Sequence, residues 1–165
     1  MQTRALELPH GPAVIVRPLR NGDVATVAAV FAGLGAESRR RRFNGPKPCF
    51  SETELAALAR VDARHHALVA HVAGDPEPAG LAQLARTGTR GAEVAFVVAD
   101  RYHHRGIGSA LTRLLLDDAR AAGITEITAL ASGENRAALA LLRRCARILE
   151  VRLEGPEQSI RAAIA

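Results

Sequence analysis

A glycine-rich turn is the part of this sequence whose residue types are best suited to chemistry. The turn, residues 103–108, reads His-His-Arg-Gly-Ile-Gly and lies between the apolar run 93–99 and a helical pattern. The first amide groups of a helix have no partner within it, and the helix dipole favours a negative charge beside them. Glycine removes side chains from the approach, and Arg105 adds a charged donor. The pattern predicts a site for a phosphate-bearing ligand.

Two nucleotide-binding motifs do not fit this turn. A nucleoside-triphosphate loop requires a lysine after its last glycine, and the only lysine of the chain is Lys47. A dinucleotide-binding turn requires a third glycine, and Leu111 stands at that position. A tight turn that merely joins a strand to a helix is the alternative that needs no ligand.

The elements around the turn predict an α/β fold with a mixed sheet. Capping residues indicate helices that begin after Asp23, Ser51 and Asn135, in addition to the long helix after the turn, which makes about four. Six or seven strands are expected, antiparallel in the N-terminal part, and the two that flank the long helix must be parallel. The predicted strands are residues 13–17, 67–72, 80–86, 93–99, 124–130, 148–153 and 160–164. The 165 residues fit a single domain, 1–165.

The charge of the chain indicates an anionic partner. The formal net charge is +5 and the sequence pI is about 10.5, which suits nucleic acid, a membrane surface or a phosphate-bearing ligand. Aromatic residues make up only 3% of the chain, which favours a small polyanionic ligand over stacked nucleic-acid bases. Because no apolar run approaches the length of a membrane span, we expect a cytoplasmic protein without a membrane partner.

The histidines and cysteines predict neither a metal site nor a disulfide. Histidines are adjacent in the pairs 65–66 and 103–104. Neighbouring side chains on a strand or turn point apart, so one metal ion cannot readily use both members of a pair. Cys49 and Cys145 are predicted to be two free thiols, as is usual in a cytosolic protein.

Residues 92–111 resemble the acyl-CoA-binding signature of the GNAT N-acetyltransferase superfamily, which reads Gln/Arg-x-x-Gly-x-Gly/Ala. Gly106 and Gly108 match the signature, and His103 takes the Gln/Arg place. The resemblance implies a centrally splayed sheet, acetyl-CoA or another short acyl-CoA as co-substrate, and no metal. The implied cofactor-binding residues are Phe96, Val97, Val98, His103, His104, Arg105, Gly106, Ile107, Gly108, Ser109 and Asn135.

Three further segments extend the resemblance over essentially the whole chain. Residues 134–144 resemble the family helix in which an asparagine, here Asn135, contacts the pantetheine arm, and residues 17–23 resemble the usual opening of such domains. Residues 38–43, 51–58 and 61–62 resemble the front half of the bacterial protein-lysine acetyltransferase branch. This branch implies a protein substrate with an acceptor lysine, and we expect a monomer or a homodimer.

Direct transfer of an acyl group to lysine needs a base, because the free amine has a pKa near about 10.4. Glu93 stands at the start of the apolar strand that leads to the turn, and the lysine-modifying branch has a glutamate at this place. The resemblance therefore implies that Glu93 is the general base in a ternary complex. The alternative is an exposed glutamate that ends a hairpin. Many family members carry a tyrosine, as acid for the thiolate, where Leu142 stands, and we assign this role to no residue.

Other readings of the sequence stay open. The acceptor could instead be a small-molecule amine or a protein N-terminus, and the chain could be a catalytically weak acyl-CoA-binding regulatory domain. The arginine run 39–42 could be a solvated helix face, or it could contact the acceptor or the CoA phosphates.

Overall fold

The computed structural model of the protein describes residues 2–43, 45 and 49–164, which form a mixed sheet and helices on both of its faces. Asn44-Gly45-Pro46 predicts an interruption of regular secondary structure, and of these three residues the structure describes Gly45. The strands are β1 Arg4–Glu7, β2 Ala13–Pro18, β3 His65–Val72, β4 Pro78–Arg86, β5 Gly91–Val98, β6 Glu126–Ser132, β7 Arg147–Glu154 and β8 Glu157–Ala163. The helices are α1 Val24–Ala32, α2 Ala36–Phe43, α3 Glu52–Leu58, α4 Ile107–Ala121 and α5 Arg136–Cys145.

The strand order β1-β2-β3-β4-β5-β6-β8-β7 confirms the predicted mixed sheet. Strands β1 to β5 pair in sequence order and antiparallel. Helix α4 connects β5 to β6, and these two strands are parallel, as the prediction requires. Strand β8 then lies antiparallel between β6 and β7.

The element counts differ from the prediction, because the described residues contain eight strands instead of six or seven and five α-helices instead of four. The additional strand, β1, has four residues and pairs along β2, and Leu6 packs against the core. An edge strand this short depends on its neighbour more than on its own propensity. The additional helix, α2, is the arginine run, in which Glu37 pairs with Arg40 and Arg41 one turn away.

The centre of the sheet is splayed, as the family resemblance implies. Pairs between β5 and β6 run from Gly91↔Glu126 to Val94↔Ala129 and then stop. Beyond that point β5 stays paired with β4 as far as Val98, and β6 stays paired with β8. A gap therefore opens between β5 and β6, with unpaired backbone on its β5 side.

Two apolar layers hold the helices to opposite faces of the sheet. Helices α4 and α5 cover one face, where residues such as Val94 and Leu111 share a buried cluster. Helices α1 and α3 cover the other face, where Val97 packs in a cluster with Phe31. Because side chains alternate along a strand, β5 contributes to both layers.

Three of the helices begin at the side-chain caps that the sequence predicts. Asp23 accepts a hydrogen bond from the Thr26 amide. Ser51 forms a capping box with Glu54 at the start of α3. Asn135 accepts from the Ala138 amide at 3.1 Å. These caps depend on residues within one turn, so they can be recognised without knowledge of the fold.

Helix α5 is anchored to the core by Leu142, which is 1% exposed and is its only buried residue. We expect Leu142→Ala to lower the free energy of unfolding by about 2–5 kcal/mol, because the substitution leaves a cavity in the core. The matched control is Leu153→Ala on β7, where the leucine is 69% exposed and the expected change is within about 0.5 kcal/mol. Urea denaturation measures both, and equal losses would contradict the anchoring role.

Candidate active site

Helix α4 begins without a side-chain cap. Its N-cap is Gly106, in the left-handed region at φ 84°, and no acidic residue lies in its first turn. Helices α1, α3 and α5 each have a capping side chain in the same place. The amides of Ile107, Gly108 and Ser109 are therefore left to an external acceptor, and the dipole of the helix favours an anion.

The turn that leads into α4 has a defined backbone conformation and is fixed by contacts of Tyr102. His104 has φ 60°, so a second left-handed residue precedes Gly106, as in loops whose amides converge on an anion. Tyr102 is buried, and its hydroxyl donates to Asp75, which lowers the pKa of that carboxyl. The guanidinium of Arg105 lies 5.8 Å from the centre of the Tyr102 ring. These contacts fix the conformation of the turn before any ligand binds.

The three predicted residues of β5 lie in the stretch that faces the gap. Phe96, Val97 and Val98 follow Val94, the last residue of β5 that pairs with β6. His103 closes this end, because its Nε2 lies 2.8 Å from the Val98 carbonyl oxygen, to which it donates in the tautomer protonated at Nε2. The residue at the Gln/Arg place of the signature thus lies beside the gap.

Strand β6 forms the opposite side of the gap, and Asn135 follows three residues after its end. Strand β6 ends at Ser132, and Asn135 follows as the first turn of α5 begins. Gln158 Nε2 donates to the Asn135 carbonyl oxygen at 3.0 Å and so fixes this turn against β8. Next to it, Glu134 pairs with Arg40 of α2 at 2.9 Å. The predicted cofactor-binding residues therefore lie around one gap.

Glu93 lies on the face of the sheet covered by α1 to α3. It pairs with Ala85 of β4 and Thr128 of β6, one residue before the last pair ahead of the gap. Strand β5 is central, so Glu93 is not at a sheet edge, although its side chain is exposed. It lines a cavity of about 160 Å³ together with residues that include Arg42, Leu58, His65, Gln83 and Ala95. A carboxylate in a cavity beside the gap can accept a proton from a group bound there.

Arg42 also lines this cavity, and the sequence identifies it only as one member of the arginine run 39–42. Burial lowers the pKa of its guanidinium, and the charge of Glu93 acts in the opposite direction. Its Cζ lies 4.9 Å from the centre of the Phe43 ring. The only sequence signal for Arg42 is the arginine run, and the run does not show which of its four arginines lines the cavity.

The other arginines of the run have different contacts. Arg39 donates to the backbone carbonyls of Leu34 and Phe31 at 3.0 Å. Arg40 and Arg41 bind Glu37, and these hydrogen bonds lower the pKa of Glu37 to about 2. The run is therefore neither a uniform solvated face nor a uniform ligand site.

The two histidines of the pair 65–66 contact different carboxylates. His65 Nδ1 lies 2.8 Å from Asp62, and His66 Nε2 lies 3.1 Å from Asp118. Within residues 2–43, 45 and 49–164, no group of three or more His, Cys, Asp or Glu side chains is placed to hold a metal ion. Among the described residues, none of the helices has both the length and the hydropathy of a membrane-spanning helix.

Comparisons with known proteins agree on one family. The profile described as the acetyltransferase (GNAT) family matches residues 36–146. A curated acetyltransferase from Pseudomonas aeruginosa is 31% identical over 134 residues, which are 79% of this chain and 72% of that protein.

Solved structures agree on the fold. The GNAT domain of S. lividans PAT superposes with a TM-score of 0.86 and 23% identity, covering 98% of this chain and 96% of that one. The cAMP-binding acyltransferase from Mycobacterium smegmatis superposes with a TM-score of 0.67 and 25% identity. That match covers 99% of this chain and 48% of the other, so this chain spans about half of that protein.

The left-handed conformation of Gly106 can be tested with a pair of substitutions. We expect Gly106→Ala to lower the free energy of unfolding by about 1–2 kcal/mol, because a Cβ opposes this conformation. Gly108→Ala is the control, since a Cβ there would lie 3.5 Å from Val98 Cγ2, an ordinary contact. Its helical position predicts a change of at most about 1 kcal/mol, in the stabilising direction. If the two variants were equally stable in urea denaturation, the left-handed conformation of Gly106 would be contradicted.

Proposed function

The chain belongs to the GNAT acetyltransferase family and is an N-acetyltransferase, and we propose that it transfers the acetyl group of acetyl-CoA to a lysine side chain of a protein substrate. The observation that carries the proposal is the position of Glu93, which lines the cavity on one face of the sheet, one residue before the last β5–β6 pair. An amine bound in the cavity and a thioester bound in the gap can meet beside this carboxylate.

The gap and the turn suit acetyl-CoA. The pyrophosphate would lie on the amides of Ile107, Gly108 and Ser109, which no side chain of the N-cap occupies, with Arg105 as a charged donor. The pantetheine would follow the unpaired edge of β5 at residues 96–98, with Asn135 on the opposite wall. A backbone edge without a strand partner offers the donors and acceptors that such an arm needs.

Within this proposal the chain's residues act on the amine and on the thioester carbonyl. Glu93 takes a proton from the lysine ammonium, directly or through a water molecule, because only the neutral amine attacks. The nitrogen bonds to the carbonyl carbon, while amides of β5 stabilise the negative charge on the oxygen. The nitrogen then loses its second proton to water, the carbon–sulfur bond breaks, and a neutral amide is left while CoA leaves as the thiolate. Leu142 is buried and has no proton to give, so solvent protonates the thiolate.

The role of Glu93 is tested by Glu93→Gln. We expect kcat to fall about 10²–10⁴-fold near neutral pH, because the amide cannot take the proton, while the affinity for acetyl-CoA is retained. Glu126→Gln is the matched control, since Glu126 is on the neighbouring strand, in the same sheet and pairs with Arg161. Thiol release and isothermal titration measure the two quantities. Wild-type turnover of Glu93→Gln would show that another group is the base.

The seat of the phosphates is tested by Gly108→Glu. A carboxylate at this position would meet the phosphates at the helix start, so we expect acetyl-CoA binding to be lost. The fold should survive, because the nearest atoms to a Cβ at Gly108 are side-chain methyl groups of Val98 and Leu141, at 3.5 and 3.9 Å. Isothermal titration beside urea denaturation separates the two effects. Wild-type affinity in the folded variant would place the phosphates elsewhere.

A further inference from the structure

We infer that Arg42 is a specificity-determining residue, which binds a carboxylate next to the acceptor amine, so that the preferred acceptor is a lysine flanked by aspartate or glutamate. The inference rests on the proposed function, because it concerns the acceptor side of the same site. It is drawn from the charges in the cavity beside Glu93 and from the way α2 is held.

Most polar side chains that line the cavity already have partners. Gln83 Nε2 donates to the Leu58 carbonyl oxygen at 2.7 Å, and Arg60 and His65 both bind Asp62, at 2.6 and 2.8 Å. Because these groups already form hydrogen bonds within the protein, we do not expect them to bind a charged ligand.

Arg42 and Glu93 are different. Neither has a hydrogen bond or a direct ion pair to another side chain in the described part of the chain, although Glu93 is close enough to act on the charge of Arg42. Burial of a guanidinium without hydrogen-bond acceptors is costly, and this cost appears as the lowered pKa of Arg42. The cavity therefore contains one open carboxylate and one open guanidinium.

Glu93 and Arg42 recognise different parts of the acceptor. Glu93 accepts the proton of the amine in the proposed function, which leaves the five N–H donors of Arg42 for an anion. A carboxylate matches the planar fork of a guanidinium and can bind it through two hydrogen bonds. A cation at the same place, such as a second ammonium of a polyamine or a flanking arginine, would be repelled. An acceptor with a carboxylate beside its amine fits both groups.

Arg42 is also held in place before any substrate binds. Arg39 ties the start of α2 to the end of α1 through two backbone carbonyls, and Arg40 ties it to Glu134. Phe43 ends the helix in an aromatic cluster with Phe31, at a ring distance of 5.4 Å. A helix fixed along its length holds the backbone of Arg42 in place, and the Phe43 ring, 4.9 Å from its Cζ, supports the guanidinium, which favours selectivity over attraction alone.

The test compares three peptides that contain a single lysine flanked on both sides by Asp, Asn or Arg, with blocked termini. For the wild type with acetyl-CoA we expect kcat/KM to be about tenfold higher for the Asp than for the Asn peptide, and lowest for the Arg peptide. Arg42→Gln should bring the Asp-to-Asn ratio close to one. Arg42→Lys, which keeps the charge without the fork, should give an intermediate ratio.

Arg147→Gln is the control, because Arg147 is an exposed arginine on the distant edge strand β7 and should leave the ratio unchanged. If Arg42→Gln does not fold, the wild-type ratio is measured from low to high NaCl, and screening should reduce it. A ratio near one in the wild type, or an equal loss for all three peptides in Arg42→Gln, would overturn the inference and leave the proposed function intact. Acetylation of none of the peptides by the wild type would refute the lysine acceptor itself, and the inference with it.

Discussion

The separation of β5 from β6 after Val94↔Ala129 is the constraint on which the rest of the site depends. Each strand remains paired on its outer side, β5 with β4 and β6 with β8, so the sheet does not fall apart where its centre opens. Backbone groups on the inner edges are left without strand partners, and polar backbone must be satisfied by something else. A ligand that brings amides and carbonyls of its own can take that place.

Helix α2 connects the two sides of this opening. Arg40 reaches Glu134, just after β6, and Arg42 faces the cavity that Glu93 of β5 also lines. One short helix therefore spans the strands that part, on the face opposite to α4. In the proposed reaction the co-substrate and the acceptor approach from different sides of the sheet, so both can be bound at once, as direct transfer in a ternary complex requires.

Local patterns predicted most of the fold, and tertiary contacts account for what they missed. The caps at Asp23, Ser51 and Asn135 act within one turn, and the parallel pair follows from a helix between two strands, so both were predictable. Strand β1 depends on pairing with β2. The cavity around Glu93 joins α2, α3, β3 and β4, which lie far apart in sequence. Arg42 has the same residue type as the three arginines before it, and only its position in the fold, beside the cavity, distinguishes it.

The missing cap of α4 makes ligand binding part of the folding equilibrium. A glycine in place of a capping side chain costs a helix on the order of a few tenths of a kcal/mol, and α4 supplies buried residues such as Leu111 and Leu115 to the core. With acetyl-CoA as the proposed occupant, phosphate oxygens would restore the missing acceptors, and free ligand at 100 times its Kd would add about 2.7 kcal/mol to stability. The enzyme would then be at its most stable when charged with acetyl-CoA, and its resistance to unfolding would follow the supply of that metabolite.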